Sequence, residues 1–93
     1  MKRLELIANN SVREDVIQTL ETEIPGLRYT LIPVAHGRGP SDWKLGTTVW
    51  PEENFVLFTY QPDEIAERIQ TLVAELKTRF PREGITVWTV RAE

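Results

Sequence analysis

Three features of this 93-residue chain predict an α+β fold, with a four-stranded antiparallel sheet carrying two helices on one face. Four short apolar runs have strand character, and two longer stretches carry an apolar stripe at helical spacing. They follow one another as strand, helix, strand, strand, helix, strand. Each helical stretch is closed by a proline. The length suits a single domain over residues 1–93, with no room for a second core.

Leu4-Glu5-Leu6-Ile7-Ala8 reads as the first strand, with Leu4, Leu6 and Ala8 on one face. Asn9-Asn10-Ser11 interrupts it, and Ser11 with Glu14 fits a capping box, the serine oxygen taking a free backbone N–H. Val12, Val16, Ile17, Leu20 and Ile24 make one helical stripe, which Pro25-Gly26 stops. The second strand is expected over residues 27–35. It belongs at a sheet edge, because Pro33 has no N–H to give a neighbour. The third strand is expected over residues 54–60. Pro62-Asp63-Glu64 starts the second helix, with acids facing the positive end of the helix dipole. Ile65, Ile69, Leu72, Val73, Leu76 and Phe80 form its stripe, Pro81 ends it, and residues 85–90 make the last strand. This is the split βαβ, ferredoxin-like plan.

The connection between strands two and three, residues 36–53, is far longer than the usual hairpin loop of about 2–5 residues. A domain of this size seldom carries such a loop without using it. It opens on His36-Gly37-Arg38-Gly39-Pro40, holds Trp43 and Trp50, and ends on Glu52-Glu53.

A formal charge of −3, with basic residues interspersed among acids, argues against nucleic acid as a partner. The absence of cysteine excludes disulfides, thiol nucleophiles and thiolate metal sites. No apolar run is long enough to insert in a membrane, and Met1 leads almost directly into a strand without a leader segment, so a cytoplasmic location is expected.

Two helices cover one face of a four-stranded sheet, so the other should be polar in a monomer. Here both faces are apolar. Phe55 and Leu57 oppose Val56, Phe58 and Tyr60; Ile85 and Val87 oppose Trp88 and Val90; Tyr29, Leu31 and Pro33 oppose Ile32 and Val34. Such a patch exceeds what monomers usually expose, and burial against copies of the same chain is the expected remedy. The competing reading folds the loop over the sheet as a lid, with Trp43 and Trp50 inward.

In layout the chain resembles the PII-like family of signalling proteins over nearly its whole length. Lys2-Arg3-Leu4-Glu5-Leu6-Ile7 is similar to that family's first strand, and Pro33-Val34-Ala35-His36-Gly37-Arg38-Gly39 to its valine-rich strand ending in a glycine-arginine step. The resemblance implies a homotrimer with inward-facing sheets, and a loop that reports ligand state to a regulated partner, such as a membrane transporter or an enzyme. Where classical members have a glycine-rich phosphate turn this chain has Phe80-Pro81-Arg82-Glu83-Gly84, and their basic C-terminal tail is reduced to Arg91. The chain is thus similar to a divergent, short-loop member. A weaker similarity is to the CutA-type divalent-ion tolerance proteins, which share the trimeric scaffold.

Gly37-Arg38-Gly39 is the best candidate for an anion site. Glycines let backbone N–H groups approach an oxyanion, and arginine supplies a two-pronged cation. The plain alternative is a turn with a solvated arginine. His36, the single histidine, is a candidate metal ligand, alone through threefold symmetry or with Asp42, Glu52 or Glu53. Trp43 and Trp50 suit packing or partner contact. Arg82 and Arg91 lie where the resemblance implies phosphate contacts. No nucleophile stands beside a base, so no enzyme is expected. The function expected is regulation: a small anionic effector, an adenine nucleotide, binds at His36, Gly37, Arg38 and Gly39 in clefts between subunits, and loop 36–53 changes a partner's affinity. The alternative is a metal-responsive, CutA-like binding protein built on His36.

Overall fold

β1 (Lys2–Asn9) runs into a single 3-10 turn, Asn10–Val12, and then α1 (Arg13–Glu23). β2 (Thr30–Ala35), β3 (Asn54–Gln61), α2 (Asp63–Arg79) and β4 (Ile85–Arg91) complete the chain. This computed structural model describes residues 1–37 and 53–93. The sheet order is β2-β3-β1-β4, antiparallel throughout, so each helix crosses over one intervening strand as the split βαβ plan requires. β2 is at an edge, where Pro33 costs no central ladder bond.

The alternation along the strands decides what is buried. Leu4, Leu6 and Ala8 of β1, Phe55 and Leu57 of β3 and Ile85 of β4 point to the helix side, and all are buried. Val12, Val16 and Leu20 come down from α1; Ala66, Ile69, Leu72, Val73 and Leu76 come from α2. These residues form one contiguous cluster, with Tyr29, Leu31, Ile65, Phe80 and Val87 packed at its margin.

The first helix is capped differently from the expectation. Asn9, not Ser11, supplies the cap: its side-chain oxygen accepts the Ser11 N–H at 2.9 Å. Ser11 lies inside the 3-10 turn, and α1 proper begins after Val12 with no side-chain cap. A capping serine must sit at the last non-helical residue, and the extra turn moves that position back to Asn9. After α1 the chain reverses through Gly26, whose φ of +80° suits a residue without a Cβ. Residues 27–29 stay outside the ladder, so β2 is shorter than expected. They are tied to β3 instead: the buried Thr59 hydroxyl donates to the Arg28 carbonyl at 2.6 Å, and the Gln61 amide donates to Thr59 Oγ1 at 2.8 Å.

Candidate functional site at the neck of the long connection

β2 delivers the chain to the connection at Ala35, which pairs with Asn54 at the start of β3. The two ends of the connection are therefore neighbours at one end of the sheet. Between Ile32 and Ala35 the register slips, a bulge centred on Pro33 and Val34. The ladder is weakest there, because proline offers no donor and the bulge takes its neighbours out of phase. Asn10 fills that gap. Its side-chain amide donates to the Pro33 carbonyl at 2.9 Å and to the Asn54 carbonyl at 3.4 Å. Its backbone N–H donates to the Glu53 carbonyl at 2.9 Å. One residue thus holds both feet of the connection. Among the described residues Asn10 Oδ1 is buried without a partner, and such an acceptor costs about 1–3 kcal/mol.

His36 and Gly37 follow this neck and are exposed. Gly37 does not have a positive φ, and a Cβ placed on it would stand 3.5 Å from Asn54 Nδ2, an ordinary contact. Among the described residues nothing therefore demands glycine here. Glu53 is exposed on the other foot. Arg38, Gly39, Trp43, Trp50 and Glu52 lie outside the described residues, as does Asp42, so the lid reading does too. Among the described residues no three histidine or carboxylate side chains gather around one point as a metal site needs.

The strand register fixes where the two remaining arginines lie. Ala8 pairs with Ile85, so the turn 80–84 with Arg82 is at the same end of the sheet as His36 and Gly37. β4 is three places from β2, and at about 4.8 Å per strand spacing that is roughly 14 Å across. Arg91 pairs with Lys2 at the opposite end of the sheet. Within one subunit, His36, Gly37, Glu53 and Arg82 share an end, and Arg91 does not.

The face without helices is apolar. Ile32, Val34, Tyr60, Val90 and Trp88 are all exposed, Trp88 to 63 %, and Ile7, Val56 and Phe58 are half-buried. At its centre β1 contributes Arg3 and Glu5, which the sequence pattern does not single out. The register sets Arg3 between Tyr60 and Val90, and Glu5 between Phe58 and Trp88. The Arg3 guanidinium lies 4.5 Å from the centre of the Phe58 ring, donates to the Tyr60 hydroxyl at 2.6 Å and pairs with Glu5 at 3.5 Å. The cation is held on aromatic surface, which suits a charge on an otherwise apolar face.

The sheet order, the two helices on one face and the long β2–β3 connection define an α+β domain of the ferredoxin-like class. Within that class the chain has the fold of the PII-like signalling proteins. A protein of Thermus thermophilus described as a PII-like signalling protein superposes with a TM-score of 0.67 at 20 % identity, covering 96 % of this chain and 83 % of that one. CPII of Thiomonas intermedia, a nitrogen regulatory PII-like protein solved with ADP and bicarbonate, gives 0.70 at 18 % identity, covering 96 % of this chain and 82 % of its own. A de novo designed protein, Foldit4, also matches, with a TM-score of 0.62 at 12 % identity, covering 99 % of this chain and 98 % of that one. No family model matches the sequence, and no curated protein does. A designed protein among the matches makes plain that the architecture does not carry a function by itself.

Proposed function

We propose that this chain is a non-enzymatic PII-like regulatory protein that binds a small anionic effector, an adenine nucleotide, in clefts between subunits of a homotrimer. Gly37, Arg38 and Gly39 hold the phosphates, and loop 36–53 alters the affinity of a partner protein according to ligand state. The observation that carries this reading is the helix-free apolar face, which supplies the surface for self-association. Two further facts support it. Gly37 stands exposed at the same end of the sheet as the turn that carries Arg82, roughly 14 Å across it. A protein of the same fold, CPII, is known with ADP bound.

Arg91 is consistent with the same arrangement. It lies at the far end of its own sheet, so it reaches a site at the neck only from another subunit. Among the described residues Arg82 and Arg91 make no ion pair with an acid, which leaves both cations for an anion.

Isothermal titration with ATP, ADP, AMP, cyclic nucleotides and bicarbonate tests the reading. At least one nucleotide is expected to bind, and Arg38→Ala to weaken it at least tenfold, the scale of one charge-assisted contact of about 1.5–3 kcal/mol. Gly37→Ala is expected to fold normally, since among the described residues its Cβ meets nothing closer than 3.5 Å, yet to weaken the same ligand. Silence from every nucleotide, with zinc or copper raising the melting temperature through His36, would replace this reading with a metal-responsive one.

A further inference from the structure

We infer that Asn10 is a latch that fixes the neck of the β2–β3 connection and so positions the Gly37 main chain for the effector. The ligand half of this inference rests on the function proposed above; the latch itself rests on hydrogen bonds alone. A strand pair normally enters a connection already held by its ladder. Here the ladder fails at the bulge between Ile32 and Ala35, and Pro33 has no N–H with which to repair it. Asn10 replaces the missing bonds from outside the sheet, gripping Pro33 on one foot and Glu53 and Asn54 on the other.

The chemistry selects asparagine. Two carbonyl oxygens, those of Pro33 and Asn54, face the side chain, so the amide must present its NH2 group. Aspartate has the same shape but only acceptor oxygens, and it would meet both carbonyls with like charge. The grip also spans elements. Asn10 begins the 3-10 turn that leads into α1, so any shift of that turn is transmitted to the two strand ends. That makes Asn10 a positioning residue: it acts on the ligand through the neck and needs no contact with it.

The test compares wild type with Asn10→Asp and Asn10→Ala in the full chain, using hydrogen exchange and titration with ADP. Without ligand, amides of residues 34–37 and 54–55 are expected to exchange about tenfold faster in Asn10→Asp, with α2 amides unchanged. ADP is expected to bind about tenfold more weakly. Uniformly faster exchange throughout the chain would show an ordinary stability defect and overturn the latch, as would an unchanged neck. A loosened neck with unaltered ADP affinity would overturn the positioning role. If wild type takes no ADP, the proposed nucleotide site falls, and the exchange data alone still decide whether Asn10 holds the neck.

Discussion

At the residue scale, the polar side chains that matter are those closing gaps left by the backbone. Asn9 caps the 3-10 turn, Thr59 holds the segment before β2, and Asn10 bridges the bulge. Tyr29 makes a side-chain bond of a different kind, and it is titratable. Its hydroxyl donates to Glu21 at 3.2 Å; burial first, and the Glu21 carboxylate second, push its ionisation above the usual 10.0. A raised tyrosine pKa favours the neutral form in the folded state, so its stabilisation is complete below pH 10.0 and lost as pH rises through the folded value. Denaturant melts between pH 9 and pH 11.5 are expected to show that alkaline loss, and Tyr29→Phe to flatten it. An identical decline in both proteins would contradict this account.

At the element scale, how much of the fold the sequence reveals depends on how much each element relies on its own residues. α2 carries most of its stripe between a proline-led start and a proline stop: Ile69, Leu72, Val73 and Leu76 are core positions visible from spacing, whereas buried Ala66 escapes it and Ile65 and Phe80 sit at the margin. Leu76, towards the C-terminal end of that stripe, is fully buried. Leu76→Ala is expected to cost about 2–5 kcal/mol, read as a shift in denaturation midpoint without loss of fold. β2 is the opposite case. Pro33 marks it as an edge strand, but residues 27–29 are held by Thr59 and Gln61 from a distant strand, and no local pattern announces such contacts. The capping box fails for a similar reason. The Ser11–Glu14 spacing is right for a helix starting directly, and the intervening 3-10 turn shifts the cap by two residues. Of the candidate site, the sequence offers a motif but not the neck that carries it. The glycine-arginine step is a local motif, whereas the Asn10 grip joins residues that are 23 and 44 apart in sequence.

At the scale of the whole molecule, the helix-free face is the main unbalanced feature. Ile32, Val34, Tyr60, Trp88 and Val90 are left in water on a chain of small core. Burial of such side chains contributes about 25 cal/mol per Å² of apolar surface, the driving force that the proposed association of the sheet with its copies would use. Arg3 and Glu5 stand in the middle of that surface, and their pairing in water is worth little. Trp88→Glu is expected to give a folded monomer, with unchanged far-ultraviolet circular dichroism and one subunit's mass by light scattering, where wild type is expected to give a trimer's. A wild-type monomer at micromolar concentration would remove the intersubunit site along with the assembly.

The strand register has one more consequence. Arg82 and Arg91 lie at opposite ends of the same sheet, so in the proposed trimer a site using both would draw them from different subunits. Mass action would then tie occupancy to protein concentration: dilution would separate the halves and weaken apparent affinity, while saturating effector would draw subunits together. A sensor built this way would report its own abundance as well as its ligand's.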